Sequence, residues 1–331
     1  MSRIFLHGSG AVSPAGWGVP ALRQALADGQ PLPVHAIDRP GWENPLRVRM
    51  VPAPNERPAF MAHPRLRRSG AMTQHSVAAA LEALANDLPE IQTAQLRLGI
   101  IVCMMAGGVT YSRRFYEEVL RDPAVASPLI FPETVFNAPA SHLAAFLGTK
   151  MINYTLVGDD ATFLQALALG ADWLADGRVD GCIVLGTEEV DWIVADALRL
   201  FQHGNFYAGG AGAIYLKKAA SPVELAMVTD AFLYTQEQTY QNAARQMRAQ
   251  FGDGASDELL FDSQPPERTV WDHWKGRRLY LKPILGDAFS ASTAWQCVAA
   301  HDALLGNDVV AANVSIVGAN QQAIGARFCR A

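Results

Sequence analysis

The amino-acid sequence predicts an α/β protein in which helices cover mixed β-sheets on both faces. Short apolar runs rich in β-branched residues alternate with amphipathic or alanine-rich segments of helical period. Two of these runs, 98–103 and 181–185, carry no polar residue, which is typical of strands buried on both faces. Half of the 331 residues are apolar and only 18% are charged, so burial can outweigh the entropy lost on folding. This alternation indicates sheets layered with helices.

The elements of residues 1–219 follow from local composition. A short strand at 3–7 precedes a turn at 8–14, where Gly and Pro interrupt the pattern, and Leu22 and Leu26 mark one face of a helix at 19–27. The further predicted elements are a helix at 72–88, a strand at 98–103, a helix at 138–147, a strand at 152–157, a helix at 161–175 and a strand at 181–185.

A second set of elements begins after the composition changes at Lys217 and Lys218. Ser221 and Pro222 mark the connection, so we divide the chain into 1–219 and 220–331. The predicted elements are a strand at 223–230, a polar helix at 238–251, a strand at 258–261, a helix at 292–304 and a hairpin of 309–317 with 323–328. Both parts alternate strands with helices, which is consistent with a duplicated unit.

Charge and cysteine usage exclude several classes of function. The 27 basic and 32 acidic residues give a net charge of −5, so nucleic acid and anionic membranes are not expected partners. The arginines at 65, 67 and 68 are interpreted as a solvated loop. No apolar run approaches the roughly 20 residues of a membrane span, and nothing at the N-terminus resembles a signal sequence. We expect a soluble, cytoplasmic protein.

Metal and cofactor sites are also not expected. The histidines form no HxxxH pair, and the cysteines lie too far apart for any CxxC or zinc-type pair; these are Cys103, Cys182, Cys297 and Cys329. The glycines at 8 and 10 have neither dinucleotide-fingerprint nor P-loop spacing.

The junction at 156–162 has the shape of a nucleophile turn. A buried strand ends at Gly158, and a long helix follows whose positive N-terminus would stabilise an anion. Aspartate occupies the place where a hydrolase would carry serine. The simpler interpretation is that Asp159 or Asp160 caps the helix.

Motifs along nearly the whole chain resemble those of the β-ketoacyl synthases in the thiolase superfamily. Those of the first part are IFLHGSGAVSPAG at 4–16, FPETVFNAPA at 131–140, LQAL at 164–167, VLGTE at 184–188 and GGAGAIYL at 209–216. Those of the second part are KPILGDAFSAS at 282–292 and NVSIVGANQ at 313–321. Their shared order implies a thiolase-like fold: two pseudo-duplicated halves with mixed five-stranded sheets in an αβαβα arrangement. The resemblance also marks Lys282, Gly286, Gly318, Asn320 and Phe136 as motif or pocket residues.

The departures from that family concern its catalytic triad. The nucleophilic cysteine lies six residues before the alanine of the Leu-Gln-Ala run, and counting back from Ala166 gives Asp160. Ser263 is assigned to the first histidine position and Asp287 to the second. Condensation requires a thiolate that carries the acyl group and imidazoles that stabilise an enolate, and aspartate provides neither. We therefore expect no condensing activity. If Asp160 and Asp287 lie close together, one carboxyl should have a raised pKa.

Three functions are compatible with a retained scaffold that lacks the triad. The first is a partner subunit similar to chain length factors, paired with an active ketosynthase in polyketide, aryl polyene or fatty-acid-type biosynthesis. Phe115, Tyr116, Phe131 and Phe136 would then limit chain length, and an acyl carrier protein is a further candidate partner. The second is an acyl-thioester hydrolase or decarboxylase that uses Asp160 and Asp287. The third is a homodimeric acyl-binding scaffold.

Overall fold

Strands and helices alternate along the chain as the sequence predicts. The computed structural model describes residues 3–201, 204–235, 238–268, 270–306, 309–319 and 322–331. The strands are β1 Phe5–Ser13, β2 Gly16–Trp17, β3 His35–Ile37, β4 Leu46–Arg49, β5 Leu98–Met104, β6 Asn153–Val157, β7 Gly181–Glu188, β8 Tyr207–Ala208, β9 Gly210–Lys217, β10 Val223–Val228, β11 Phe232–Leu233, β12 Glu258–Asp262, β13 Arg277–Leu279, β14 Ala311–Val317 and β15 Gln322–Arg330.

The helices lie between these strands, together with short 3₁₀ turns at Ala59–Ala62, Phe131–Glu133 and Pro266–Arg268. They are α1 Val19–Asp28, α2 Ala71–Ala83, α3 Leu88–Gln92, α4 Val109–Arg121, α5 Ala138–Leu147, α6 Thr162–Ala175, α7 Trp192–Phe201, α8 Tyr240–Ala249, α9 Lys282–Leu285 and α10 Phe289–Leu305. Of these, α4 and α7 are absent from the elements that the sequence predicts. The helix predicted at 72–88 ends at Ala83, and α3 begins separately at Leu88.

The sheet repeats one strand order twice. Read from its outer edge inwards, the first set of five strands has the order β6-β5-β7-β9-β1, and the second set has the order β13-β12-β14-β15-β10. In each set three parallel strands are followed by two antiparallel ones, and the third strand in the chain lies at the outer edge. The two sets meet where β1 pairs with β10, with Phe5 opposite Glu224. The fold is therefore the duplicated, mixed-sheet architecture that the sequence predicts.

Helices α6 and α10 form the layer between the two sets of strands. Both contact strands of each set, whereas α2 and α5 pack on the outer face of the first set and α8 on that of the second. Nearly every residue of α10 is buried, which is expected of a helix enclosed on all sides. The main core joins Val184 of β7, Trp295 of α10 and Val314 of β14. This layering gives the αβαβα arrangement.

The turn predicted at 8–14 is wrong, because β1 continues through Ser13. The glycines at 8 and 10 serve close packing instead of a turn. A Cβ at Gly8 would overlap the carbonyl oxygen of Ala83 in α2, and a Cβ at Gly10 would overlap that of Ala79. The missing side chains let α2 lie directly on the strand.

The connection between the two sets of strands is short. Strand β9 ends at Lys217 and β10 begins at Val223. The division at 219/220 falls in this connection, and it stays a prediction. No helix in the described part of the chain has the length and apolarity needed to cross a lipid bilayer.

Candidate functional site

The two central helices begin at the same place in the molecule. Asp160 precedes the first residue of α6 by two positions, and Asp287 precedes that of α10 by two positions. Lys282 opens the one-turn helix α9 just before Asp287. The segments at the starts of α6, α9 and α10 therefore place two carboxylates and one ammonium close together. The N-termini of α6 and α10, which carry partial positive charge, also favour negative charge there.

One lysine bridges both carboxylates. The Nζ atom of Lys282 lies 3.0 Å from Oδ2 of Asp160 and 2.7 Å from Oδ2 of Asp287. All three side chains are buried, Asp287 completely. The condition that Asp160 and Asp287 lie close together is met, because both contact one ammonium group. Lys282 is the cation that makes this possible, since two bare carboxylates would repel each other.

Burial and charge shift the protonation equilibria of this cluster. Burial raises the pKa of the Asp160 carboxyl to about 6, with Lys282 opposing the rise and Asp287 adding to it. Burial disfavours the charged form of Lys282, but the two carboxylates outweigh it and hold the lysine pKa above its usual value. The expected raised pKa is confirmed at Asp160. Lys282 is consequently an ammonium ion at any physiological pH.

Backbone contacts hold the aspartates in place. The amide of Phe289 donates to Oδ1 of Asp287 (3.2 Å), and Phe289 itself has a left-handed φ of 43°. The amide of Ala161 donates to Oδ1 of Asp159 (3.1 Å), a contact that lies before the first residue of α6. Because α6 has Ala161 as its N-cap and no side-chain cap, the capping role predicted for Asp159 or Asp160 is wrong. Gly286 has a φ of 90°, and a Cβ there would lie 2.8 Å from the Cβ of Ala208. Gly286 thus permits the turn that presents Asp287.

An open cleft of about 670 Å³ reaches this cluster. Four of the residues singled out from the sequence line it: Asp160, Ser263, Lys282 and Gly318. Its other walls are aromatic and polar, and they include Phe201, Asn205, Tyr234, Tyr240, Gln264, Arg268 and Tyr280. The hydroxyl of Tyr234 donates to the carbonyl of Gly318. The cleft therefore combines a charged floor with an aromatic mouth.

Ser263 is held by backbone. Its Oγ accepts a hydrogen bond from the amide of Val317 (2.9 Å), and its own amide donates to the carbonyl of Ser315 (2.9 Å). The serine thereby joins the end of β12 to the end of β14. A neutral hydroxyl with this contact cannot replace an imidazole as a general base, because its oxygen is a far weaker base than an imidazole nitrogen.

Other residues singled out from the sequence lie elsewhere. Phe136 does not line the cleft; it is exposed, and a Cβ at Gly107 would lie 2.6 Å from its ring. Phe115 and Phe131 contact each other with ring centroids 5.5 Å apart, and Tyr116 is largely exposed. Asn320 lies outside the described residues. A chain-limiting role for these aromatic residues stays a prediction.

A buried acid beside the cluster is absent from the residues that the sequence predicts. Burial raises the pKa of Glu188 to about 8. The amides of Met105 and Ala106 donate hydrogen bonds to its carboxyl group, and these bonds lower the pKa without cancelling the effect of burial. Asp160 contributes to the rise through its charge. The Thr-Glu-Glu run directly after an apolar strand is the signal that could have found it.

The cysteines do not supply an alternative nucleophile. Cys103, Cys182 and Cys297 are buried, and burial raises the pKa of each thiol above its usual value. A buried thiol of raised pKa is a small hydrophobic group, not a nucleophile. Within the described ranges, no three His, Cys, Asp or Glu side chains are arranged to hold a metal ion.

Comparison with known families agrees with this architecture. Residues 1–220 match the family described as "Beta-ketoacyl synthase, N-terminal domain". The chain belongs to the β-ketoacyl synthase family. No curated protein matches the sequence.

Solved structures that have low sequence identity to this chain share its fold. The ishigamide ketosynthase/chain length factor is 17% identical with a TM-score of 0.78, and the match covers 99% of each chain. The ketosynthase ApeO with its chain length factor ApeC from Xenorhabdus doucetiae is 12% identical with a TM-score of 0.80, covering 100% of this chain and 98% of the other. A type II polyketide synthase acyl-carrier protein in complex with its ketosynthase (AntDE:AntF) gives 16% identity and a TM-score of 0.80, covering 100% and 99%.

Proposed function

We propose that the protein is a non-condensing member of the β-ketoacyl synthase family that pairs with an active ketosynthase, as a chain length factor does. The observation that carries this proposal is the bridge of Asp160 and Asp287 by Lys282 at the floor of the cleft. An ion-paired carboxylate stands at the position assigned to the nucleophile, and a second one stands at a histidine position.

The chemistry of the cluster argues against acyl transfer. An acyl group on Asp160 would be a mixed anhydride, which hydrolyses readily, and forming it would leave Lys282 with one carboxylate. An enolate oxygen near Asp287 would face a buried negative charge instead of an imidazole donor. The ion pairs of Lys282 with Asp160 and Asp287 join the starts of α6 and α10. The three side chains therefore have a structural role that is independent of catalysis.

The exposed surface supports association with a second subunit. Within the described residues, β6 is an edge strand that pairs only with β5, and it carries Tyr154 and Val157 with 46% and 56% of their surface exposed. Helix α4 has no buried residue. Exposed apolar side chains lie on it and on the following segment, namely Tyr116, Leu120, Val125, Leu129 and Phe131. Apolar surface of this kind is typical of an interface.

Solved structures agree with a paired role. Two of the structures that share the fold are named for a ketosynthase together with a chain length factor. Association with an acyl carrier protein is part of the same proposal, because the cleft stays open to solvent beside Phe201 and Arg268.

A second candidate function rests on one observation. Asp160 lines the cleft with a pKa of about 6, a value that suits a general acid or base in hydrolysis or decarboxylation of an acyl thioester. The contact with Lys282 disfavours it, because the ammonium binds one carboxylate oxygen and favours the ionised form of Asp160. Turnover of acyl-thioester substrates that is lost in Asp160→Asn would establish this function.

The test of the main proposal is reconstitution with a ketosynthase. The ketosynthase with an intact Cys-His-His triad that is encoded in the same gene cluster is produced with and without this protein. We expect a complex on size-exclusion chromatography and a change in product length or yield. A ketosynthase that is fully active alone, gives the same products in both cases and does not bind this protein contradicts the proposal.

A further inference from the structure

A second large cavity lies between α1 and α10. It is a groove of about 710 Å³ bounded by α1, α10 and the neighbouring strands β12 and β13. It shares no lining residue with the cleft at Asp160. Its size falls within the range of sites that hold small organic ligands, roughly 300–1,000 Å³.

Apolar side chains form its floor. Helix α1 contributes Val19, Leu22 and Leu26, which share one face because they are spaced three or four residues apart. Strand β12 contributes Leu259 and Phe261, which alternate onto the same side of the sheet. Between these walls the groove is lined by Ala299 and Ala303 of α10 and by Gly306, which follows the helix. These residues are small, so the space between the walls stays open. A polar ligand would find few hydrogen-bond partners on this floor.

The charged side chains that line the groove are Arg23, Arg277 and Asp302, and together they carry a net positive charge. The guanidinium of Arg23 pairs with both carboxylate oxygens of Asp302, at 2.7 Å and 2.5 Å. Arg277 of β13 lines the same groove, is exposed, and has no ion-pair partner in the part of the chain that the structure describes. One uncompensated positive charge therefore stands at the edge of an apolar groove.

We propose that this groove binds an amphiphile with an apolar chain and a terminal carboxylate, with the chain on the floor and the carboxylate at Arg277. Guanidinium groups pair with carboxylates through two parallel hydrogen bonds, which suits an exposed arginine at the mouth of the groove. The site is separate from the cleft, and its assignment does not depend on pairing with a ketosynthase. A partner chain or a second copy on the same surface is an alternative that the experiment separates from it.

The experiment measures binding of cis-parinaric acid, a fluorescent long-chain carboxylate, and of its methyl ester. The full-length protein is compared with variants that alter one cavity at a time. Ala303→Trp fills the groove, and Ala319→Trp is the matched change at the rim of the cleft. Arg277→Glu reverses the charge at the groove, and Lys275→Glu makes the same change at an exposed position of the adjoining loop.

We expect saturable binding at one molecule per chain. Ala303→Trp should weaken it at least about tenfold, and Ala319→Trp should leave it unchanged. Arg277→Glu should weaken binding of the acid about tenfold but not that of the ester, because only the acid pairs with the guanidinium. Lys275→Glu should change neither.

Three results would overturn the proposal. The first is absence of saturable binding while circular dichroism shows a folded protein. The second is loss of binding in Ala319→Trp with retention in Ala303→Trp, which places the probe in the cleft. The third is a change of oligomeric state in Ala303→Trp or Arg277→Glu without a change in probe binding, which assigns the groove to a protein partner.

Discussion

The Nζ atom of Lys282 lies 3.0 Å from the carboxylate of Asp160, the residue that the sequence aligns with the nucleophile of the β-ketoacyl synthases. The two residues are separated by 122 positions in the chain. Their contact joins the start of α6 to the one-turn helix that precedes α10. The predictions below follow from this contact and from the surfaces around it.

Replacing the bridging lysine should destabilise the fold. Lys282→Met leaves two buried carboxylates without their cation, and removing one partner of a buried ion pair costs about 3–5 kcal/mol. Urea unfolding followed by circular dichroism measures the change. Lys150→Met, at an exposed position, is the control and should change the free energy of unfolding by less than about 0.5 kcal/mol. Equal effects of the two substitutions would mean that the bridge is not stabilising.

Asp160 should make stability fall as the pH rises. Its pKa is about 6 in the folded protein and 3.8 for an unperturbed side chain, so the folded state binds more protons between these values. The contribution of Asp160 to stability is fully present below the lower value and is lost through pH 6.

Asp160→Asn removes that dependence. The stability of this variant relative to the wild type should therefore rise between pH 3.8 and about 6 and then level off. Urea midpoints measured across this range test the trend. A stability difference for Asp160→Asn that stays constant across this pH range would contradict the assigned shift.

Restoring a cysteine at position 160 should restore reactivity without condensation. In Asp160→Cys the new thiol lies beside the Lys282 ammonium at the floor of the open cleft. Burial raises the thiol pKa and the ammonium lowers it, so the lysine increases the fraction of thiolate that can be alkylated. Ser263 and Asp287 remain at the positions that the sequence assigns to the two histidines, so we expect no condensation. Iodoacetamide labelling read by mass spectrometry should show fast modification at position 160 and slow modification at the buried cysteines. Adding Lys282→Met should slow it; labelling that is equally fast in both would rule out activation by the lysine.

A charge on the exposed edge strand should disrupt association. Val157→Asp places a carboxylate on β6, and we expect affinity for the partner subunit to fall at least about tenfold, because burying an unpaired charge is costly. Leu233→Asp in β11, where the side chain is also exposed, serves as the control. Analytical ultracentrifugation measures both. Unchanged association in Val157→Asp would place the interface on another surface.

Close packing at β1 should make Gly10 irreplaceable. Gly10→Ala forces α2 away from the strand, with an expected cost of about 3 kcal/mol. Gly29→Ala is the comparison, because its φ is 66° and no atom lies within 4 Å of the added Cβ, so only the left-handed conformation is unfavourable, at about 1 kcal/mol. Thermal unfolding ranks the two. Equal costs would mean that α2 can move without penalty.

The sequence predicts most of the fold because periodicity is local. Residues 98–103 and 181–185 are continuous apolar runs, and they lie in β5 and β7. Counting along motifs assigns Asp160 and Asp287 to catalytic positions of the family, and this assignment stays a prediction. The role of Lys282 could not be found in this way, since the bridge depends on a contact made only in the folded chain.

The two main errors have the same origin. In the sequence, Gly8 and Gly10 are typical of a turn. Their close packing against α2 explains why they lie in a strand instead. Helix α4 was not predicted, and the described part of the chain buries none of its residues. In both cases the deciding contact lies outside the local sequence. Glu188 was missed for a related reason, because its burial depends on the layer around it.

The enclosure of α10 has a consequence for how the protein is made. Residues of β5 and β7 such as Ile101 and Val184 share one core with Trp295 and Val298 of α10. These strands leave the ribosome long before α10 does, and until then α6 is the one helix of the central layer that can cover their inner face. A nascent chain in this state exposes apolar strands, which is the condition that invites aggregation and chaperone binding. Synthesis rate and chaperone supply should therefore limit the yield of this protein more strongly than the stability of its finished fold.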